Sequence, residues 1–372
     1  MLFRSESQNA TGNGTRGIIF GGYSSWTGTK NNIEYVTIAN TGNAADFGDL
    51  SVTRTRTAAC SNATYSFRFG GSNSSVSTAS LTLYNVADYF ACATLGNASD
   101  FGDSTASHTD GSAHSDGTTG VVWHGMNGSA GNASSISNTI DKYTLNSASN
   151  ATDFGDTTTT TNRWNITESG GGNGTRGVWM GGTAAVSPYS STTNVIDYIT
   201  VATPGNATDF GDLVTARYVG TVAGAGTDDR ALYFGGYTGS AGTRQIDYIT
   251  VSTTGNASDF GDLSSAISTP YSGSAAANAT RAVYLAAYTN NVMEYVTMST
   301  TGNAADFGDI SSSNTKYYGG AAANATRALW HGSYSGVDIH YVTMSTLGNS
   351  SDFGDQLVAS NTLQSHSSGN AS

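Results

Sequence analysis

Short apolar runs that close on small residues recur along the chain at nearly even spacing. Each run has the length of a strand and is too short for a helix. The seven runs are Ile18 to Gly22, Phe67 to Gly71, Val122 to Gly125, Val178 to Gly182, Leu232 to Gly236, Val283 to Ala287 and Leu329 to Gly332. A segment that alternates β-branched or aromatic residues with polar ones follows each run, most clearly at Ile196 to Val201. The pattern predicts two successive strands in every repeat.

The motif Asp-Phe-Gly-Asp closes every repeat and predicts a further strand. Its copies begin 54, 53, 56, 50, 47 and 46 residues apart, close to the roughly 40 to 50 residues of a four-stranded propeller blade. Gly-Asn pairs such as Gly205-Asn206 precede the motif and suit a tight hairpin, because both residue types tolerate positive φ. The remaining strand follows the motif. The structural repeat residues are Asp46, Phe47, Asp100, Phe101, Asp153, Phe154, Asp209, Phe210, Asp259, Phe260, Asp306, Phe307, Asp352 and Phe353.

These elements predict an all-β fold, a seven-bladed β-propeller of four-stranded antiparallel blades. We expect residues 1–372 to form a single domain whose blade motifs end near residues 49, 103, 156, 212, 262, 309 and 355. Because the first repeat opens on its second strand, residues 356–372 are predicted to supply the missing strand and to close the ring. The alternative takes that strand from Leu2 to Asn9.

The repeats resemble the kelch family of β-propellers, in which a Gly pair ends the second strand and an aromatic residue stands in the third. The aromatic series here is Tyr35, Tyr89, Tyr143, Tyr198, Tyr248, Tyr295 and Tyr341. The chain departs from kelch repeats because Phe replaces the usual Trp in the fourth strand, because Ala286 and Ala287 replace a Gly pair, and because Lys142 interrupts the Asp-Tyr register.

The sequence motif Gly-Asn-Ala-x-Asp-Phe-Gly-Asp-Leu also resembles repeats carried by virion proteins of marine bacteriophages, particularly cyanophages. That resemblance implies a non-catalytic structural or appendage protein on the exterior of a phage particle. Its implied partners are other virion proteins and a host-surface glycan. A carbohydrate-binding adhesion module on a cell surface is the alternative, and a degenerate hydrolase or oxidase is a third reading.

Composition and charge exclude some classes of binding partner. The chain has a formal charge of -12 and three lysines, Lys30, Lys142 and Lys316, so it lacks the basic stripe that nucleic-acid binding requires. It contains no stretch of about 18 apolar residues, and Met1 to Glu6 lack the apolar core of a secretory signal. We therefore expect neither a nucleic-acid partner nor membrane insertion. Cys60 and Cys92 are predicted to be buried thiols, with a disulfide as the alternative.

The repeated polar residues offer candidate chemistry, but seven copies favour a structural role. Asp46 and Asp49 could bind Ca²⁺; alternatively Phe47 packs between blades, Gly48 permits a close approach, and the Asp side chains accept hydrogen bonds from turn amides. A second acidic series precedes the tyrosines, and arginines recur at the start of the Gly-pair strand, which suggests ion pairing or carboxylate-to-amide bonds. His124 and His331 are predicted to share the strand position of Phe20. We expect no catalytic residues, metal or cofactor.

Loop lengths predict where a ligand would bind. The loops between the second and third strands are uneven, with a step of 17 residues from Gly71 to Asp88 but 7 from Ala287 to Glu294. The Gly-Asn hairpins hardly vary. Binding sites tend to lie on variable loops of a rigid scaffold, so we expect contacts in residues 72–80, 127–138 and 183–193. The candidate aromatic residues of this rim are Tyr23, Trp26, Tyr189 and Tyr237.

Overall fold

The computed structural model describes residues 2–5, 9–12, 15–24, 28–73, 81–127, 137–158, 170–183, 191–224, 229–268, 270–271, 273–286, 291–310, 320–331, 336–358 and 365–368. In this part of the chain every regular element is a β-strand and none is a helix. The fold prediction is confirmed, since the described strands build seven antiparallel four-stranded sheets arranged as the blades of a propeller.

The strands are numbered in chain order, and β1 (Leu2–Ser5) precedes the first blade. The first blade contains β2 (Asn9–Gly12), β3 (Arg16–Phe20), β6 (Asn32–Thr37) and β7 (Ala45–Asp49), with the short pair β4 (Tyr23–Ser24) and β5 (Gly28–Thr29) in the loop after β3. The second blade contains β8 (Ala58–Ser61), β9 (Tyr65–Phe69), β10 (Tyr84–Ala91) and β11 (Ser99–His108). The third contains β12 (Ser112–Ser115), β13 (Thr119–Trp123), β14 (Thr139–Thr144) and β15 (Thr152–Asp156).

The fourth blade contains β16 (Gly170–Gly172), β17 (Arg176–Thr183), β18 (Thr192–Thr200) and β19 (Thr208–Asp212). The fifth contains β20 (Thr221–Gly224), β21 (Arg230–Phe234), β22 (Gln245–Thr250) and β23 (Ser258–Asp262). The sixth contains β24 (Ser274–Ala277), β25 (Arg281–Leu285), β26 (Val292–Thr297) and β27 (Ala305–Asp309). The seventh contains β28 (Gly320–Ala323), β29 (Arg327–His331), β30 (Asp338–Thr343) and β31 (Ser351–Asp355), and β32 (Ser365–Ser368) follows it.

In each blade the four strands pair in chain order, and we call them the inner, second, third and outer strands. The inner strands of neighbouring blades contact one another around the ring, including β2 of the first blade with β28 of the seventh. A meander of this kind places the turn after the inner strand and the turn after the third strand on one face of the propeller. The loop after the second strand and the segment that leads into the next blade lie on the opposite face.

The ring does not close as the sequence suggested. The inner strand of the first blade is β2, in which Asn9 pairs with Phe20 and Gly12 pairs with Gly17, so the expectation that residues 356–372 supply this strand is wrong. A hairpin between neighbouring segments has a lower loop-closure entropy cost than a pairing between the two ends of the chain. The C-terminal strand β32 instead pairs with β1 in a separate two-stranded sheet that contacts inner strands of several blades.

Every pair of third and outer strands contains a β-bulge at the motif phenylalanine. In the first blade Ile33 pairs with Gly48 but Glu34 pairs with Asp46, which leaves Phe47 as the extra residue. The same register shift occurs in the other six blades. A bulge turns the strand locally, and the phenylalanine is only 2–3% exposed in each copy.

The apolar core lies between successive blades. Phe20 and Phe47 of the first blade contact Phe90 of the second, with ring centroids 5.6 and 5.3 Å apart. Each fully buried phenylalanine contributes about 1.5–3 kcal/mol to stability. Equivalent clusters join the other neighbouring blades, so the ring is held by contacts that only a closed set of blades can make.

Two residues of the third blade, His124 and Tyr143, take strand positions other than those expected from the repeat motifs. Trp123 ends β13 opposite Ile140, as Phe20 ends β3 opposite Ile33, so His124 takes the position of Gly21 and the prediction for His124 is wrong. His331 does end its strand as predicted. Lys142 occupies the place of the repeated tyrosine, and Tyr143 therefore lies one residue further on, buried in the core. Strand alternation explains this change, since a shift by one residue reverses the face.

Candidate functional site

The Asp-Phe-Gly-Asp motif forms a clasp between blades. At the joint of the fourth and fifth blades, the N–H of Gly255 donates to the Phe210 carbonyl and the N–H of Ala257 donates to the Asp212 carbonyl, each at 2.8 Å. The N–H of Asp212 donates to Oδ1 of Asn256 at 3.0 Å. Three hydrogen bonds thus tie the outer strand of one blade to the Gly-Asn turn of the next.

The side-chain bond of this clasp recurs at every joint of the ring. The last Asp of each motif donates its N–H to an Asn Oδ1 of the following blade at 3.0–3.1 Å. The pair of Asp355 and Asn43 joins the seventh blade to the first. The accepting residues are Asn97, Asn150, Asn206, Asn256, Asn303, Asn349 and Asn43.

The motif glycine is required because two backbones meet at this clasp. Gly211 has a φ of +142°, and a Cβ there would lie 2.5 Å from the carbonyl carbon and oxygen of Gly255. The first Asp of the motif adds a local bond, as when Asp209 Oδ1 accepts from the N–H of Gly211 at 3.1 Å. Its carboxylate is otherwise exposed.

The second acidic series forms another set of links between blades. Asp88 of the second blade accepts hydrogen bonds from the N–H (3.2 Å) and Oγ (2.5 Å) of Ser51, which follows the motif of the first blade. Glu34 accepts the N–H groups of Leu357 and Val358 at 2.8 and 3.2 Å, which links the seventh blade to the first. Burial, first of all, raises the pKa of Glu34 although these hydrogen bonds oppose the shift. Comparable bonds reach Asp141, Asp197, Asp247 and Glu294, and His340 stands in the seventh place.

The repeated arginines at the start of the second strands contact an aromatic ring of their own blade and a backbone carbonyl of the next blade. Arg230 stacks over the ring of Tyr248 at 4.6 Å and donates to the Met298 carbonyl of the next blade at 2.6 Å. The expected ion pairing is therefore replaced by a cation–π contact and a bond to a backbone carbonyl. The same arrangement holds for Arg16, Arg176, Arg281 and Arg327.

The repeated polar residues thus have structural contacts within the scaffold. Among the described residues, no group of three or more His, Cys, Asp or Glu is arranged to hold a metal ion. The Asn-x-Thr triplets act as turns, as when Asn278 Oδ1 accepts from the N–H groups of Thr280 and Arg281 at 3.0 and 2.9 Å. A ligand site is therefore to be sought on the face that carries the uneven loops.

Of the four aromatic residues predicted for the uneven face, the structure describes the side-chain contacts of one, Tyr237. Tyr23 lies in β4, whereas Trp26 and Tyr189 lie outside the described residues. Most of the predicted contact loops, residues 74–80, 128–136 and 184–190, also lie outside them. Tyr237 is the predicted rim residue whose contacts can be described.

Tyr237 belongs to a cluster of three tyrosines rather than standing alone. Its ring lies edge to face with Tyr218 at 5.8 Å and with Tyr271 at 5.4 Å. Tyr218 and Tyr237 also exchange two backbone hydrogen bonds, at 3.0 and 2.8 Å. Tyr218 is buried, whereas Tyr237 and Tyr271 are partly exposed. The cluster joins segments of the fifth and sixth blades that sequence spacing did not bring together.

Polar side chains are buried on the same face, between the first three blades. Arg54 and Arg68 are both fully buried, and Arg54 binds Asp88 at 2.8 Å. Arg68 donates to Thr57 Oγ1 at 2.7 Å and to the Arg54 carbonyl at 3.0 Å. Burial first, and then the charge of Arg54, lowers the pKa of Arg68 well below its usual value.

A second polar cluster lies where the third blade meets the second. His108 and His124 stack with their centroids 4.3 Å apart, and His124 Nε2 lies 2.7 Å from Asp141 Oδ2. Ser104 Oγ lies 3.0 Å from His108 Nε2 and 2.8 Å from the Tyr143 hydroxyl. The sequence patterns described above did not predict this cluster. One signal was available, because Arg54, His108 and Arg217 each stand four residues before an inner strand.

The two cysteines are free thiols in the interior of the second blade. Cys60 lies on β8 and Cys92 directly follows β10, and they belong to core clusters on opposite faces of the sheet. Burial raises the pKa of Cys60 to about 12 and that of Cys92 to about 11. A thiol of this kind is inert, because the thiolate is the reactive form.

A scan against models of known protein families found no match to this chain, and a search of curated proteins found none either. Among the described residues, no helix is long and apolar enough to cross a membrane.

Proposed function

We propose that this chain is a non-catalytic docking and attachment protein on the exterior of a marine phage particle. The observation that carries the proposal is the use of the repeated polar residues in links between blades, as in the bond from Asp212 to Asn256. These links favour a rigid ring whose uneven face presents variable loops. A rigid scaffold with variable loops suits recognition. The resemblance of the repeat motif to repeats of phage virion proteins supports a location on the exterior of a phage particle.

The two faces suggest two kinds of contact. The face with the Gly-Asn turns repeats nearly the same short hairpin in every blade, which suits docking to other virion proteins. The uneven face carries the partly exposed rings of Tyr237 and Tyr271, with Thr238 and Ser240 in the adjoining hairpin. Aromatic rings beside hydroxyl groups suit a sugar, because a ring can cover an apolar sugar face while hydroxyls form hydrogen bonds.

The charge of the protein favours a neutral glycan over an anionic one. The seven motifs hold 14 of the 27 acidic residues, and the first Asp of each motif is exposed on an outer strand. Their negative potential opposes the approach of anionic ligands. The same charge argues against a nucleic-acid partner.

The location is tested by antibody labelling of intact purified phage particles, together with peptide mass spectrometry of the same preparation. Labelling at a tail or fibre would support a role in adsorption, and labelling over the capsid would support decoration of the particle. Absence of the protein from particles would reject the virion proposal.

Glycan binding is tested separately with the purified chain on an array of neutral glycans. Tyr237→Ala removes one ring of the cluster, and Val214→Ala is the control because Val214 is 51% exposed and lies outside the cluster. The proposal requires binding that Y237A weakens at least about tenfold, which corresponds to about 1.4 kcal/mol, while V214A keeps it. Binding by a protein absent from particles would favour the alternative, a carbohydrate-binding adhesion module on a cell surface.

A further inference from the structure

The joint between the second and third blades replaces a permanent charge with a titratable one. Each of three described lead-in segments, residues 54–57, 108–111 and 217–220, directly precedes an inner strand. In two of them the first residue is an arginine that binds the acid of the third strand, Arg54 with Asp88 at 2.8 Å and Arg217 with Asp247 at 3.2 Å. The segment into the third blade begins with His108 instead.

At that joint the acid of the third strand is bound by a second histidine. Asp141 lies 2.7 Å from His124 Nε2, and the ring of His108 lies parallel to that of His124, with an angle of 4° between the planes. An arginine stays charged throughout the accessible pH range, whereas an imidazole gains its charge between about pH 5 and 8. This joint therefore holds a titratable side chain, His108, at the position where the other two segments hold an arginine.

The packing leaves no room for water around the stacked rings. His108 and His124 are both fully buried. A Cβ added to Gly70 would lie 2.5 Å from the ring of His108, so the Gly70 backbone packs closely against that ring. The Nε2 of His108 is held by Ser104, whose hydroxyl also contacts Tyr143. A new charge on His108 could be hydrated only if the blades separated.

The carboxylates near the stack already have partners. Asp88 binds Arg54, Asp110 binds Arg56 through Nε at 2.7 Å, and Asp141 accepts hydrogen bonds from the N–H and Oγ1 of Thr105 besides contacting His124. The basic neighbours are Arg54, Arg56, Arg68 and His124, and Tyr143 contacts the cluster through Ser104. Burial first, and then the charges of His124 and Arg54, lowers the pKa of His108 well below its usual value.

We propose that the joint between the second and third blades is an acid-sensitive hinge, at which protonation of His108 separates the two blades in mildly acidic solution. His108 is neutral while the joint is closed and regains an ordinary imidazole pKa of about 6.5 when the joint opens. The open form therefore binds one more proton, and the opening equilibrium rises by up to about tenfold for each pH unit below 6.5. Among the described residues, the joint held by Arg217 and Asp247 contains no histidine.

Hydrogen–deuterium exchange of the full chain tests the hinge without any mutation. Protection is measured at pH 7.5, 6.5 and 5.5 and corrected for the intrinsic pH dependence of amide exchange. We expect protection in β11 and β13 to fall about fivefold between pH 6.5 and 5.5, relative to β21 and β22 of the fifth blade. An equal change in both regions would overturn the proposal.

Two variants assign the effect to His108. His108→Gln removes the titration and keeps a side chain that can bond to Ser104, so the acid-dependent loss of protection should disappear. His114→Gln is the matched control, because His114 is also buried, 1% exposed in β12 of the third blade, but packs against Trp179 at 5.1 Å rather than in the stack. Retention of the acid response in H108Q, or its loss in H114Q, would contradict the assignment. If H108Q fails to fold, the exchange measurement on the natural chain decides alone.

Discussion

The side-chain Oδ1 of Asn256 accepts a hydrogen bond from the backbone N–H of Asp212 at 3.0 Å, across the joint between the fourth and fifth blades. One residue of a turn thereby completes the outer strand of the preceding blade. Because the same bond recurs at every joint, each Gly-Asn turn serves both its own hairpin and its neighbour.

Loss of this bond should weaken the ring measurably. Asn256→Ala removes the acceptor of the Asp212 N–H, and we expect a loss of about 0.5–1.5 kcal/mol in the free energy of unfolding. Asn40→Ala is the control, because the exposed Asn40 lies in a turn of the same type outside the clasp; it should change stability by less than about 0.5 kcal/mol. Urea denaturation of both variants checks the difference, and equal effects would contradict the role of the clasp.

The motif glycine should tolerate no side chain. In Gly211→Ala the new Cβ meets the backbone of Gly255, so we expect a loss of at least about 3 kcal/mol. Gly174→Ala measures only the cost of placing an alanine at positive φ, because Gly174 also has a positive φ, +81°, but has open space around it. That control should lose about 1–2 kcal/mol. The free energies of unfolding of the two variants are compared by thermal and urea denaturation. Equal losses in G211A and G174A would show that the close approach to Gly255 does not destabilise the alanine variant.

The buried pair of Arg54 and Asp88 should be sensitive to loss of the acid. Asp88→Ala leaves the fully buried Arg54 without its carboxylate partner, next to the equally buried Arg68, and removes the acceptor of Ser51. We expect a loss of about 3–5 kcal/mol. Asp49→Ala, at an exposed carboxylate of the motif, should cost less than about 0.5 kcal/mol. Denaturant midpoints of the two variants measure the contrast, and a small effect of D88A would contradict this account.

Asp116 provides a test of pH dependence. Burial acts to raise its pKa, but hydrogen bonds from the N–H groups of Thr119 and Thr118 outweigh it, and the pKa is lowered from 3.8. A lowered folded pKa gives stability that is present above about pH 3.8 and lost as the pH falls through the folded value. Asp116→Asn introduces the residue that Asn173 represents in the equivalent turn of the fourth blade.

The variant D116N should match the natural chain at pH 7 to within about 0.5 kcal/mol. Below about pH 4 the natural chain should lose stability relative to D116N, since only the carboxylate takes up a proton. Urea denaturation at pH 7, 4 and 3 makes the comparison. Parallel curves at all three values would show that the Asp116 carboxylate is not stabilised in the folded state.

Much of the fold could be predicted because the signals are local. The Gly-Asn turns, the apolar runs and the alternating third strand each depend on neighbouring residues, so the four-stranded meander followed from the order of the motifs. The candidate site could be predicted from the sequence only in part. Tyr237 was identified from its loop, but the contacts of its ring with Tyr218 and Tyr271 depend on how the lead-in segments of two blades pack beside that loop.

The sequence by itself determined the number of blades, the strand order within each blade and the place of Phe47 and its repeat mates, because periodic spacing specifies hairpins and faces. Only the tertiary structure decided that β2 completes the first blade, that His124 replaces a glycine, and that His108 stacks on it. These contacts depend on how blades meet in space. Neither strand alternation nor motif spacing specifies which side chains face each other across a joint.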